Sequence, residues 1–184
     1  MVGRLICGMM TVISHTAPPG APEAFRDYLG HAEALVAAAP KDKSAIITAG
    51  IVTSEAANPN DPELYARAQA QAESYLRRAL ALDDRDPRLL FHLALVYARK
   101  QEPEVALRVV ERLAGVEPQP GLHLYAGAIV QTIAGDRDEA LVWVQKLLAT
   151  NTIKPNELAH PTGYLAPLLD DPRFPALIEA AATP

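Results

Sequence analysis

The sequence predicts an all-α chain of antiparallel helix pairs, and three observations carry that prediction. Of its 184 residues, 33 are Ala and 23 are Leu, while aromatic residues make up only 5%. Such a composition suits closely approaching helices better than a sheet of Val, Ile and Tyr. Proline and glycine cut the chain into segments of helical length, and no stretch alternates with period two long enough to make a strand. With 49% hydrophobic and 21% charged residues, one domain with a sizeable core is expected, and neither disorder nor a membrane bundle. The net charge of −5 argues against a nucleic-acid partner, because phosphate contacts need a basic surface. A single cysteine excludes an internal disulfide and a multi-thiolate metal site.

Taken in order, residues 1–14 (MVGRLICGMMTVIS) are apolar around one basic residue, Arg4. They fall well short of the roughly 20 residues that span a bilayer, so no membrane span is expected. A packed arm or buried helix comes first here. A secretory signal, with His15-Thr16-Ala17 before the cleavage point, comes second; the compartment stays open, with the cytoplasm favoured and the periplasm or export following if residues 1–17 act as a signal. Cys7 is read as a packing residue, since the large Ile6 before it departs from a lipid-attachment site. Pro18-Pro19-Gly20 ends this segment.

From Pro22 to Ala39, the residues Phe25, Leu29, Ala32, Leu35, Val36 and Ala39 recur at three- and four-residue steps, an amphipathic helix stopped by Pro40. A second helix, about 42–57, is nearly all apolar through Ile46, Ile47, Ala49, Ile51 and Val52. After a turn at Asn58–Asp61, Asp61 is a natural N-cap with Pro62 at the first helical position. The third helix then runs to about Leu82 with Leu64, Ala68, Ala72, Leu76 and Ala79 on one face. Four shorter helices follow near 87–100, 103–116, 121–134 and 137–150, and their short links force antiparallel neighbours.

A repeat underlies these helices. Ala72, Ala106 and Ala140 are spaced 34 residues apart, as are Tyr75, Val109 and Trp143. Leu90 falls on Leu124, Phe91 on Tyr125, Ala94 on Ala128, Val96 on Val130 and Leu107 on Leu141. One helix pair therefore recurs as a unit, with small residues where helices approach and larger ones filling the space between pairs.

The period and pattern resemble the tetratricopeptide repeat. A repeat begun at Pro87 places Leu90, Leu93, Ala94, Tyr97, Ala106, Val110, Leu113 and Pro118 on the family's marked positions, with Gln101 standing where the family has glycine. The next, begun at Gly121, places Leu124, Gly127, Ala128, Gly135, Ala140, Val144 and Leu147, and Gln131 departs at the aromatic position. The preceding repeat is stretched by an overlong turn. The resemblance implies a right-handed α-solenoid with helical extensions at both ends. Its parts are 1–40 flanking, 41–154 repeats (41–86 degenerate, 87–120, 121–154) and a 155–184 capping segment. In that tail, residues 164–177 resemble the segment that closes bacterial arrays of this kind. There Asp171 caps a last helix with Pro172 at its first position, and Phe174 and Leu177 cover the open end of the stack.

No catalytic or metal-ligating spacing occurs. The histidines His15, His31, His92, His123 and His160 are scattered, and there is no phosphate loop, nucleophile elbow or calcium loop. The turns at 58–61 and 83–86 read as solvated, and Trp143 as core. No enzyme, cofactor or metal is expected.

The family binds partners in a concave groove lined by the first helix of each pair. That implies Arg88, Phe91, Leu95 and Arg99 from one repeat (with Ala98), and Leu122, Tyr125, Ile129 and Ile133 from the next (with Thr132). The Lys and Asn clamp of chaperone-binding members is absent. A mainly apolar groove with two arginines suits an amphipathic helix or extended apolar segment. The chain's own residues 155–184, or its N-terminal segment, are equal candidates to fill it. The function implied is a non-catalytic adaptor or scaffold for a protein or peptide partner. The alternative is a self-assembling subunit that uses residues 1–14 and the solenoid ends. A regulatory module split from a bacterial kinase is a third reading.

Overall fold

The computed structural model describes residues 22–57, 59–117, 121–158 and 163–182. Residues 1–17, with the arm, signal and Cys7 readings, lie outside them, as does the Phe25 side chain. The described residues form helices α1 (Pro22–Ala38), α2 (Lys43–Ala56), α3 (Pro62–Leu80), α4 (Pro87–Arg99), α5 (Pro103–Ala114), α6 (Leu122–Ala134) and α7 (Arg137–Ala149). The short α8 (Pro155–Leu158), a 3-10 helix (Gly163–Asp170) and α9 (Arg173–Ala182) follow. No strand occurs among the described residues, and α1–α7 match the sequence expectation to within two residues at their ends.

The boundaries have chemical causes. The Asp61 carboxylate accepts the Leu64 backbone N–H at 3.1 Å with Pro62 beside it, as expected. Asp42, Asp86 and Asp136 cap α2, α4 and α7 in the same way. Each satisfies a backbone donor that the helix itself leaves open. Asp171 accepts the Arg173 N–H at 3.0 Å at the start of α9, and an Arg173 side-chain hydrogen bond holds its carboxyl down to about 2. Pro167 lies inside the 3-10 helix; a residue lacking an N–H fits a short tight segment better than an α-helix interior.

The C-terminal turn of α4 recurs at α6, bond for bond, 34 residues later. Gln101 N–H bonds the Ala98 carbonyl and Glu102 N–H the Tyr97 carbonyl; Gly135 N–H bonds Thr132 and Asp136 N–H bonds Gln131. Both turns need a left-handed residue, at φ 62° for Gln101 and φ 82° for Gly135. Glycine adopts that conformation freely and glutamine does not. Glutamine at 101 where 135 is glycine therefore changes the residue and leaves the backbone turn as it is.

Helices pack as successive pairs, α2 on α3, α4 on α5 and α6 on α7, and the first helices α4 and α6 also meet side by side. Pairing across α2–α3 runs antiparallel: Ser54 meets Gln69 while Gly50 meets Leu76. Across α3–α4, Arg77 reaches Tyr97 while Glu73 reaches Lys100. Ala72, Ala106 and Ala140 are each fully buried at these seams, where a larger side chain would push neighbouring helices apart. Gly127 serves the same end: a Cβ there would lie 2.4 Å from the Trp143 ring. α1 buries Ala32 and Val36 and packs on α2. At the far end α9 packs on α7 and α8, burying Phe174 and Ile178 and half-burying Leu177.

Candidate functional site

Helix α4 positions the candidate site. It buries ten successive residues, Leu89–Ala98. A helix in a two-layer stack keeps one face in water, so burial all round means that a third layer covers it. Part of that layer is the chain's own tail. The 3-10 helix packs on α6, burying Leu165 and Leu168 completely, and its Tyr164 reaches back to α4 and α2.

The eight residues assigned to the groove fare differently. Phe91, Leu95, Leu122, Tyr125 and Ile129 are buried, none more than 4% exposed. Phe91 and Tyr125 stack with ring centroids 6.1 Å apart and planes 5° from parallel, and burial pushes the Tyr125 hydroxyl up to about 12. Arg88 is exposed and Ile133 half-buried. Arg99, expected to pair with a partner's acidic group, pairs instead with Glu55 of α2 at 2.9 Å, each side chain about a tenth exposed. Of the two candidates for filling the groove, the tail contributes through Tyr164, while the N-terminal segment lies outside the described residues.

Around Arg99 a polar network joins four segments of the chain. Arg99 donates to the Ser54 hydroxyl and to the Tyr164 hydroxyl. Tyr164 donates to the Glu55 carboxylate, and the guanidinium lies 5.0 Å from the centre of the Tyr164 ring. Ser54 in turn donates to the Gln69 side-chain carbonyl at 2.7 Å, and the Gln69 amide returns a bond to the Ser54 backbone carbonyl at 3.0 Å. Beside this cluster the Thr53 hydroxyl is buried without a partner.

Charge settles the protonation states. Burial alone would raise the Glu55 carboxyl, but the Arg99 charge, with hydrogen bonds from Arg99 and Tyr164, outweighs it and holds Glu55 below the carboxylate range. Burial pulls against the Arg99 charge, yet Tyr164 and Glu55 more than offset it and hold the guanidinium firmly charged. Burial drives the Tyr164 hydroxyl well above its ordinary value, so it stays a donor. His92, about two turns before Arg99 on α4, is pulled down to about 4 by burial and is neutral near pH 7.

A second knot ties the outer edge. Glu73 of α3 bonds Lys100 at 2.7 Å and Arg77 at 2.7 Å, and Tyr97 sits among all three. Glu117 caps the start of α6, accepting the backbone N–H groups of Gly121 and His123 and contacting the His123 ring. Trp143, expected in the core, is half-buried, flat against Gly127, with the Lys146 ammonium 5.2 Å from its ring centre.

Among the described residues, no three His, Cys, Asp or Glu side chains stand close enough to hold a metal ion, and no helix is long and apolar enough to cross a membrane. Sequence reading missed Ser54, Glu55, Gln69 and Tyr164. A signal existed for two of them: Glu55 is the one acidic residue of α2, and Gln69 interrupts the alanine face of α3 between Ala68 and Ala72. No protein-family model and no curated protein matches the chain.

Proposed function

We propose that this chain is a non-catalytic protein–protein interaction adaptor, a short right-handed solenoid of tetratricopeptide type. The observation that carries the reading is the hairpin turn repeated bond for bond at a 34-residue offset, together with three alanines buried at the same offset. A stack of identical helix hairpins presents one continuous face made by the first helices, and such faces bind extended or helical protein segments. The ionisable groups that touch one another here are committed to each other, and they fasten helices together.

On this reading the partner is a protein or peptide that lies along α4 and α6. Arg88, exposed at the start of α4, takes its acidic group, and Ile133 at the end of α6 takes an apolar one. Arg99 is already neutralised by Glu55, so it does not take the partner's acidic group.

Site-specific photocross-linking tests the proposal. A photoreactive amino acid replaces Arg88, Ile133 or, on the outer helix α5, the exposed Arg108. The same protein species captured from positions 88 and 133, and not from 108, supports the adaptor. Capture from 108 alone overturns the groove assignment. Capture of a second copy of the chain at 88 and 133 replaces the adaptor with the self-assembling subunit.

A further inference from the structure

We infer that residues 163–170 form a releasable strap, an autoinhibitory segment fastened across the groove by Tyr164, which must lift before a partner can lie along α4 and α6. The inference deepens the adaptor reading and rests on it for its purpose, but the strap itself is testable without any partner.

Three features make this contact a latch and not simply core. First, its socket survives release. When Tyr164 leaves, Arg99 keeps Glu55 at 2.9 Å and the Ser54 hydroxyl, so no buried charge is orphaned by opening, which is the usual reason a polar contact cannot let go. Second, the strap is weakly built. It is a 3-10 helix interrupted by Pro167, with poorer hydrogen-bond geometry than an α-helix. Its apolar anchor is limited to two fully buried side chains, Leu165 and Leu168, while Leu169 is half exposed. Third, the contact is remote from the rest of the tail: α9 rests on α7 and α8 at the end of the stack, whereas Tyr164 crosses to the far ends of α2 and α4. Lifting 163–170 therefore unseats the tail from the groove without dismantling a helix pair.

The socket also specifies what can replace the strap. It takes an aromatic hydroxyl that donates to a carboxylate and accepts from a guanidinium, followed by aliphatic side chains at the next position and three beyond it. A competing segment carries Tyr-Leu followed by Leu at the spacing of Tyr164, Leu165 and Leu168.

The test is hydrogen exchange by mass spectrometry on the full chain and on Tyr164→Phe, which keeps the ring and removes the hydroxyl. Hydrogen bonds to charged groups are strong enough that their loss is expected to raise the open population about tenfold or more. Amides of 163–170 should exchange faster by that factor, and those of α3 and α5 should be unchanged. Unchanged protection of 163–170 overturns the strap. A rise spread equally over α3 and α5 also overturns it, because Tyr164 is then an ordinary core residue. In a second arm, a fluorescent peptide of residues 163–170 is titrated onto both proteins. Binding about tenfold tighter to Tyr164→Phe supports a socket vacated by the strap, and equal affinity for both overturns it. A failed partner search leaves both readouts intact, so the two readings fail separately.

Discussion

Replacing Arg99 with Met removes the centre of the network on α4 while keeping most of the side-chain volume. The structure sets the magnitude. Arg99 and Glu55 are 2.9 Å apart with side chains 10% and 11% exposed, so water screens neither charge well. Truncating one member of such a pair leaves the other buried and uncompensated, at a cost of about 3–5 kcal/mol. For a chain of this size that lowers Tm by roughly 6–20 °C. Adding Glu55→Leu to Arg99→Met removes the orphaned charge as well, and the double variant is expected to recover at least about 2 kcal/mol relative to the sum of the singles. Urea unfolding followed by circular dichroism gives all four stabilities. The pH dependence has a definite sign. With Arg99 present, Glu55 titrates below its unfolded value, so its contribution exists above that value and is lost as pH falls through the folded one. Without Arg99, burial is opposed chiefly by the Tyr164 hydrogen bond, the smaller effect, and raises the carboxyl. The penalty of Arg99→Met should then shrink as the pH falls towards 4.5 and Glu55 takes up its proton. Additive single variants, each below about 1 kcal/mol, would refute a buried, coupled pair.

Three further outcomes follow from particular residues. Gln101→Gly relieves a left-handed glutamine at φ 62° and should stabilise the chain by about 1 kcal/mol in the same urea assay. His92 titrates near 4 when folded against an ordinary 6.5. The unfolded chain thus binds more protons between those values, and stability falls by up to about 3 kcal/mol as pH drops from 6.5 to 4; His92→Gln should flatten that slope. Gly127→Ala drives a methyl into the Trp143 ring, 2.4 Å away. The helix gains about 1 kcal/mol in propensity and loses about 1–3 to overpacking. The net change is expected to be destabilising, with a red-shifted emission from this single tryptophan as the indole moves into water.

The helices were legible because their ends are written locally. Asp61-Pro62 and Asp86-Pro87 carry both a capping carboxylate and a fixed φ, and the structure uses both. The repeat was legible through its small residues, since a seam between helices excludes anything larger than Ala72, Ala106 or Ala140. Gln101 shows the limit of that signal: the sequence departs from glycine, yet the turn is retained because its two backbone bonds are retained. The burial of the residues assigned to the groove was not legible. The family resemblance implies one side for Phe91, Leu95, Tyr125 and Ile129 but says nothing of what lies over them. The network was hidden for a related reason. Glu55 and Tyr164 are 109 residues apart, and no local pattern joins an acid closing one helix to an aromatic in the tail.

The most direct measurement is the affinity of a partner captured at Arg88 and Ile133, taken by calorimetry against the intact chain and against Tyr164→Phe. A groove closed by its own tail binds in proportion to the fraction of chains that are open. Binding to Tyr164→Phe is expected to be about tenfold tighter, with unchanged circular dichroism. Equal or weaker binding to that variant, with the fold intact, would contradict a groove closed by its own tail.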